Sequence, residues 1–203
     1  MKKILLAGLF ITGSLLTQAQ FRVGIKGGLN FSDQARKDAG HSVTTKMHTE
    51  LHAGVVGDVK IWKSIYLQPA IMYSRKGATH KSASFADTKI KMNYVELPLN
   101  IVYKKELMFG TVFAGGGPVI GYGFGGEMVQ NGQSKKLYSD DIKNFGHEDI
   151  SANLLAGIEL NNGLFSSVSY QKGFRDIYKT DNVKIRNNSV SVSVGYYLNR
   201  KHR

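Results

Sequence analysis

The stretch SVSVSVGYYL, from Ser189 to Leu198, alternates strictly between two kinds of side chain. One set is apolar, namely Val190, Val192, Val194, Tyr196 and Leu198, and the other is mostly small or polar, namely Ser189, Ser191, Ser193, Gly195 and Tyr197. Successive side chains of a β-strand point to opposite faces, so this period of two predicts a strand with one apolar and one polar face.

A single alternating segment could also occur in a soluble β-sandwich, but here the same alternation recurs along the chain. We predict eight strands of this kind, at 21–31, 51–62, 64–75, 90–104, 106–124, 150–161, 163–174 and 187–198. Most of them have the length that a tilted strand needs to cross a bilayer, although the fifth is longer and rich in glycine.

The connections between these segments alternate in length. Short ones lie at 62–64, 104–106 and 161–163, and long polar ones at 32–50, 76–89, 125–149 and 175–186. Transmembrane barrels have short periplasmic turns and longer outer loops. The pattern therefore predicts an all-β fold, an eight-stranded antiparallel up-and-down transmembrane β-barrel. A lipocalin-like barrel is the alternative, but its apolar face would point inward.

The polar faces of the predicted strands carry charges of both signs, whereas the apolar faces are nearly free of charge. The predicted lumen residues are Arg22, Lys26, Asp58, Lys60, Glu96, Glu159 and Gln171. Eight strands enclose room for side chains only, so we expect these groups to pair in a filled lumen, helped by the bulk of Trp62, Tyr94, Phe165 and Tyr197. Glu96 and Glu159 could instead form the carboxylate pair of an enzyme.

The N-terminus has the features of a secretory signal. Lys2 and Lys3 precede an apolar run from Ile4 to Ile11, and Thr17 and Ala19 supply the small residues that a signal peptidase requires. We therefore expect a cleaved signal peptide at 1–20 and a barrel domain at 21–203. No later segment approaches the ~18 consecutive apolar residues of a helical span.

Composition excludes several kinds of chemistry. The chain contains no cysteine, so disulfides, thiolate metal sites and cysteine nucleophiles are absent. The formal charge is +12, and it becomes (27 − 2) − 15 = +10 once Lys2 and Lys3 are removed. An exported protein rarely meets nucleic acid. We expect basic residues of the outer loops to lie beside lipopolysaccharide phosphates instead, namely Lys76, Lys81, Lys89, Lys179, Lys184 and Arg186.

The outer loops contain residues that could carry chemistry. His41, Ser42, His48 and His52 are of the types that lipid-modifying enzymes use, but no spacing holds them within reach of one another. An acidic group in the third loop, Asp140, Asp141, Glu148 and Asp149, could bind a cation or nothing. The glycines between 115 and 126 lack the Gly-Lys-Ser/Thr ending of a phosphate loop. We expect no catalytic, cofactor or metal site.

Four segments resemble one known family: 21–30 (FRVGIKGGLN), 94–99 (YVELPL), 114–118 (AGGGP) and 170–174 (YQKGF). They are similar to the PorT-like small outer-membrane β-barrel proteins of the Bacteroidetes. The founding member of that family is linked to type IX protein secretion, whereas most relatives have no assigned activity. The resemblance covers the whole of 21–203.

Together, these features predict a monomeric, non-enzymatic protein of the cell outer membrane with a filled lumen. It would act through its long outer loops or its periplasmic rim, as a structural or interaction component or as a PorT-like accessory of secretion. Its expected partners are outer-membrane lipid, lipopolysaccharide and envelope or secretion proteins, with no nucleic acid and no cofactor. A small lipid-modifying enzyme remains the alternative, because fold alone does not decide between these functions.

Overall fold

A computed structural model describes residues 21–38, 41–43, 45–80, 88–130, 133–138, 146–177 and 183–199 of the chain. They form ten strands: β1 (Phe21–Asp38), β2 (His41–Val43), β3 (Thr45–Trp62), β4 (Ile65–His80), β5 (Thr88–Leu107), β6 (Gly110–Gln130), β7 (Gln133–Lys136), β8 (Glu148–Leu160), β9 (Leu164–Gly173) and β10 (Val183–Tyr197). Within this part of the chain, no helix has the length and hydropathy needed to cross a membrane. The predicted signal peptide lies outside the described residues.

Eight of the ten strands form a closed ring in which each strand pairs antiparallel with both neighbours. The ring closes where β1 pairs with β10, for example Lys26 with Gly195. The short strands β2 and β7 lie outside the ring and pair with the ends of β1 and β6. The predicted eight-stranded antiparallel up-and-down barrel is confirmed.

The two faces of the strands are also as predicted. On β5, the outward side chains are apolar and 40–59% exposed, namely Val95, Leu97, Leu99, Ile101 and Tyr103. The intervening Tyr94, Glu96, Asn100 and Val102 are buried inside the ring. Exposed apolar side chains on the outside of a closed barrel face lipid, and polar side chains inside it fill the lumen. We call this lipid-facing part of the barrel the membrane wall.

Exposed aromatic side chains form a belt near each end of the membrane wall. The belt at the end that carries residue 21 contains Phe21, Trp62, Tyr103, Phe109 and Tyr196, and the other contains Tyr73, Tyr122, Phe124, Tyr170 and Phe174. Such belts mark the two surfaces of the bilayer. Both described termini and the three short turns between strands of the ring, at 63–64, 108–109 and 161–163, lie at the first end, which in an outer-membrane barrel is the periplasmic end.

The predicted loops need correction, because the strands extend well beyond the outer belt. β1 continues to pair with β10 as far as Asp38 and Val183, and the β4–β5 hairpin pairs as far as His80 and Thr88. Strand residues therefore lie within all four predicted loops: 32–38, 41–43 and 45–50 in the first, 76–80 and 88–89 in the second, 125–130, 133–136 and 148–149 in the third, and 183–186 in the fourth. The short turn expected at 104–106 also lies further along, at Met108 and Phe109. The strand boundaries predicted from the sequence followed the apolar faces, whereas the backbone pairing between strands continues beyond the ends of those faces.

Above the outer belt, the polarity of the two faces is reversed. Inward side chains there form an apolar cluster of Ile90, Met92, Tyr94, Leu137, Ile177 and Ile185, which we call the outer cap. The outward side chains of the same β5 segment include Lys89, Lys91 and Asn93. Water replaces lipid as the surrounding solvent at this level, so the apolar residues turn inward as in a soluble protein.

Candidate functional site

The periplasmic end of the lumen holds two basic and two acidic side chains, here called the lower cluster: Arg22, Asp58, Lys104 and Glu159. The Arg22 guanidinium donates to Asp58 from Nε at 3.1 Å and from Nη2 at 2.5 Å, and it also contacts both carboxylate oxygens of Glu159. The Lys104 amine lies 2.9 Å from Asp58 and 3.2 Å from Glu159. Each buried charge thus faces an opposite charge, as burial requires.

Aromatic rings pack around the lower cluster. The Arg22 guanidinium lies 4.2 Å from the ring centre of Tyr197, and the Lys104 amine lies 4.8 Å from Tyr66 and 5.6 Å from Phe113. These separations are those of cation–π contacts. The four charged side chains are at most 8% exposed, so this layer closes the lumen at its periplasmic end.

A second group, the upper cluster, lies nearer the outer end. The Lys76 amine is 2.6 Å from Glu96 and 3.7 Å from Asp149. Gln171 donates to Glu96 at 3.0 Å, and Asn187 donates to Asp149 at 3.0 Å. One lysine here faces two carboxylates, so the upper cluster has one more acidic than basic side chain.

Between the two clusters is a loosely packed region, which we call the lumen chamber. It consists of two cavities of about 50 and 40 Å³ that share the lining residues Lys26, Met72, Pro98 and Asn153. A buried water needs ~10–15 Å³ of such volume, so each cavity has room for a few waters. Small side chains leave this space open, because Ser167, Ser169, Ser191 and Ser193 supply much of its β9 and β10 side.

Lys26 and His52 are the two basic side chains of the lumen chamber. The Lys26 amine forms no ion pair with another described residue. The formal charges of these lumen side chains nevertheless balance. The four cations are Arg22, Lys26, Lys76 and Lys104, and the four anions are Asp58, Glu96, Asp149 and Glu159. His52 is 6% exposed, its Nε2 lies 2.9 Å from the Ser193 hydroxyl, and its Nδ1 has no hydrogen-bond partner in the described structure.

Six of the seven predicted lumen residues face the inside of the barrel. Arg22, Asp58 and Glu159 lie in the lower cluster, Glu96 and Gln171 in the upper cluster, and Lys26 lines the chamber.

Lys60 and Trp62 do not lie inside the lumen. Lys60 is exposed at the periplasmic rim, and Trp62 is 62% exposed in the periplasmic belt, so the expectation that both fill the lumen is wrong. The pairing of β3 with β4 shifts between Lys60 and Trp62, which ends the regular alternation at this point.

Three further lumen charges were not among the predicted lumen residues. Lys104 was assigned to a turn, Lys76 to a loop beside lipopolysaccharide and Asp149 to a possible cation site, but all three are at most 4% exposed inside the barrel. Each continues an alternation already visible in the sequence: Lys76 follows Met72 and Ser74, and Lys104 follows Asn100 and Val102. Extending the period of two past the apolar face would have identified them.

The outer cap closes the other end of the lumen. Ile90, Met92, Ile177 and Ile185 are at most 3% exposed. Tyr138 packs against them with a left-handed backbone (φ 61°) and lies against Gly123, where a Cβ atom would be 2.3 Å from the Tyr138 hydroxyl. Burial raises the pKa of this hydroxyl. The lumen chamber is therefore bounded by the lower cluster on one side and by the upper cluster on the other, and the outer cap lies at the outer end of the lumen.

The loop residues whose side chains could take part in catalysis or metal binding do not form a shared site. His48 lies 2.6 Å from the Thr79 hydroxyl, and exposed Glu148 pairs with Arg175 at 2.6 Å. The side chains of His41 and Ser42, and residues Asp140 and Asp141, lie outside what the structure describes. Among the described residues, no three His, Asp or Glu side chains are arranged to hold a metal ion.

Three lysines lie on the outside of the barrel, on strand segments that extend beyond the outer belt. They are Lys89 and Lys91 of β5 and Lys136 of β7, and with Glu127 of β6 they form what we call the basic patch. The Lys91 amine is 3.3 Å from Glu127, and Lys136 is the cross-strand partner of Glu127. Lys91 lies two to three residues, or roughly 8 Å along the strand, beyond the level of Phe124 in the outer belt.

Comparison with known proteins agrees with this architecture. The family model described as "Outer membrane protein beta-barrel domain" matches residues 17–179. The chain belongs to this family. It is therefore a protein of the outer membrane, as predicted. A comparison with curated proteins finds no match.

The chain is similar in fold to solved structures of small outer-membrane barrels. OprG from Pseudomonas aeruginosa is 11% identical with a TM-score of 0.50, covering 87% of this chain and 95% of that chain. Neisserial surface protein A is 15% identical with a TM-score of 0.47, covering 88% and 97%. Ail from Yersinia pestis is 15% identical with a TM-score of 0.40, covering 87% and 99%. At these identities the likeness concerns the fold alone.

Proposed function

We propose that this barrel is a non-enzymatic, non-conducting outer-membrane protein that acts through its outer surface or its periplasmic rim. The observation that carries the proposal is the filled lumen. Charged side chains of the lower cluster occupy one end of the lumen and the apolar side chains of the outer cap occupy the other, and both groups are almost fully buried. A barrel of this kind offers surfaces to partners and no pore.

Reconstitution into a planar lipid bilayer tests the closed lumen. We expect no stable openings of porin size across the usual voltage range. A variant with a truncated lower cluster, Arg22→Ala with Lys104→Ala, serves as the comparison, since it removes both cations that hold that layer together. Porin-like openings of the unmodified protein would contradict the proposal and favour transport.

The lipid partner that we propose is lipopolysaccharide, held by the basic patch. The patch has a net charge of 3 − 1 = +2 and lies just above the outer aromatic belt, at the height of anionic headgroups. Lysines at this height can reach phosphate groups while their stems stay against the wall. Of the basic residues that the sequence predicted to lie beside lipopolysaccharide, only Lys89 belongs to the basic patch.

Binding of purified lipopolysaccharide, with and without its phosphates, tests this partner. We expect the triple variant Lys89→Gln, Lys91→Gln, Lys136→Gln to bind several-fold more weakly and with less dependence on salt. The matched control replaces Lys60, Lys63 and Lys105, which are exposed at the opposite rim. Equal loss in both triple variants, or no effect of removing the phosphates, would contradict the proposal.

A role as a PorT-like accessory of protein secretion is the more specific form of the interaction function. It rests on the resemblance of the segments named above, among which 94–99 contributes Glu96 to the upper cluster and Pro98 to the chamber. Deletion of the gene in its native host, followed by quantitative mass spectrometry of the culture medium, tests it. Unchanged secretion with intact envelope composition would rule this role out.

The alternative of a lipid-modifying enzyme has less support. The closest pair of suitable groups, His52 and Ser193, lies in the chamber and not at the outer surface, and no third group orients the free nitrogen of His52 in the described structure. Catalysis by such a pair needs that orientation.

A further inference from the structure

Two lysines occupy neighbouring positions in the periplasmic belt, where β4 begins and β5 ends. Lys63 is in the short turn between β3 and β4, and Lys105 is on the outward face of β5, two residues after Tyr103. The Lys104 amide donates to the Ser64 carbonyl at 2.8 Å, which ties this turn to the end of β5. We call Lys63 and Lys105 the rim lysine pair.

The outward surface around Lys105 is apolar. Tyr103 precedes it on the same face of β5, and its cross-strand partner on β6 is Val112. Glu106 follows it in sequence but lies on the opposite face of the strand, since the partner of Glu106 is the buried Thr111. The Lys105 side chain therefore extends from a lipid-facing surface.

Neither lysine of the pair has a carboxylate partner among the described residues. The Lys63 amine lies 5.0 Å from the ring centre of Trp62, a cation–π contact that leaves its charge without a counter-ion. Several exposed basic side chains at the outer end do pair with acids. These pairs are Lys91–Glu127, Arg175–Glu148 and Arg186–Asp176, at 3.3, 2.6 and 2.8 Å. The rim lysine pair is thus a local concentration of uncompensated positive charge.

The backbone of Lys63 also indicates a role for its side chain. Its φ of 39° lies in the left-handed region, which glycine or asparagine adopts more easily than lysine. Strained backbone of this kind is often found at binding sites, where the surrounding structure holds it in place. The turn alone does not account for a lysine here.

We propose that the rim lysine pair binds the headgroup of an anionic phospholipid in the periplasmic leaflet of the outer membrane. Height selects lipid as the partner, because Lys63 adjoins Trp62 and Lys105 lies between Tyr103 and Phe109, all three of them residues of the periplasmic belt. Such a belt marks the surface of the bilayer. Charge selects the headgroup, because two lysines with no acidic partner favour a phosphate whose negative charge is not offset by an ammonium group.

The contacts of such a lipid follow from the surroundings of the pair. The two amines would donate to phosphate oxygens while their stems stay against the wall. The exposed rings of Trp62 and Tyr103 would lie against the first part of the acyl chains. This site is at the opposite end of the barrel from the basic patch, so it is independent of the proposed lipopolysaccharide binding.

The fluorescence of Trp62 tests the proposal without a label, because it is the only tryptophan of the chain and is 62% exposed. The protein is refolded into phosphatidylcholine vesicles that contain phosphatidylglycerol with brominated acyl chains, which quench tryptophan on contact. A parallel set contains brominated phosphatidylcholine at the same mole fraction. We expect phosphatidylglycerol to be enriched about threefold or more around Trp62, and less so at high salt. Both leaflets have the same composition, so the orientation of the barrel does not matter.

The double variant Lys63→Gln, Lys105→Gln should abolish the enrichment. Each quenching value is a ratio to the same variant in lipid without bromine, so any change of Trp62 intensity caused by the loss of the Lys63 contact cancels. Lys60→Gln is the matched control and should keep the enrichment. Lys60 is exposed at the same rim, but its partner Tyr66 is buried, which places it on the lumen side of β3.

Three results would overturn the proposal: equal quenching of the unmodified protein by both brominated lipids, unchanged enrichment in the double variant, or an equal loss of enrichment in Lys60→Gln. Retention of peptidoglycan fragments that depends on Lys63 and Lys105, in a protein without lipid preference, would assign the pair to the cell wall instead. The lipopolysaccharide proposal is decided separately, because the double variant leaves Lys89, Lys91 and Lys136 unchanged.

Discussion

The membrane wall and the outer cap are built from the same strands with opposite polarity. On β5, Leu99 faces lipid and Asn100 faces the lumen, whereas ten residues earlier Lys89 faces outward and Ile90 packs inside. The period of two is unchanged between these places. What changes is the surrounding solvent, and each region places its apolar side chains where they best avoid water.

The transition between the two regions coincides with irregular pairing. The β5–β6 register shifts between Asn93 and Tyr94, and the β3–β4 register shifts between Met47 and His52. A β-bulge bends a strand and increases its local twist. The barrel therefore changes its packing at the level of the outer aromatic belt, where one kind of interior ends and the other begins.

The largest expected effect concerns the polar interior of the wall. Lys104→Met removes one of two cations from the lower cluster and leaves Asp58 and Glu159 undercompensated, so we expect a loss of about 3–5 kcal/mol in the free energy of unfolding. Lys105→Met is the matched control, since Lys105 is exposed and should change stability by less than about 0.5 kcal/mol. Reversible urea unfolding in lipid vesicles measures both, and equal costs would show that the cluster is not held as described.

A smaller effect is expected on the lipid side of the wall. Leu99→Arg places a charge against the middle of the bilayer and should cost about 2–4 kcal/mol. Leu107→Arg, on the same face at the periplasmic end of β5, should cost about 0–1 kcal/mol because the charge reaches the interface. The same unfolding assay compares them. If Leu107→Arg were the more harmful, the depth assigned to β5 would be wrong.

The smallest effect concerns the outer cap. Ile90→Val removes one methylene from an apolar cluster and should cost about 0.5–1.5 kcal/mol, as in a soluble core. Lys89→Ala, its outward neighbour, should have almost no effect. Protection of the cap amides against hydrogen exchange reports this local loss. A cap that tolerates Ile90→Ser as well as Ile90→Val would not be an apolar core.

Much of the wall could be predicted from the sequence, because a strict period of two assigns each side chain to a face. Glu96, Glu159 and Arg22 were placed on the inward face in this way. The ends of the strands were not predictable from apolar alternation, since the apolar set changes face at the outer belt. Lys76 and Asp149 were missed for that reason.

The lumen chamber needed the register between strands. The chamber arises where serines of β9 and β10 meet Lys26 of β1. This arrangement cannot be predicted from the spacing of residues within any one segment.

Spin-label accessibility along β5 tests the exchange of faces most directly. Single cysteines from residue 89 to 103, each carrying a nitroxide, would be measured in vesicles for collision with oxygen, which concentrates in lipid, and with a water-soluble nickel chelate. We predict high oxygen accessibility at 95, 97, 99, 101 and 103, low accessibility to both probes at the even positions, and a change to nickel accessibility at 89 and 91. Oxygen accessibility at the even positions, or its continuation to residue 89, would contradict the account.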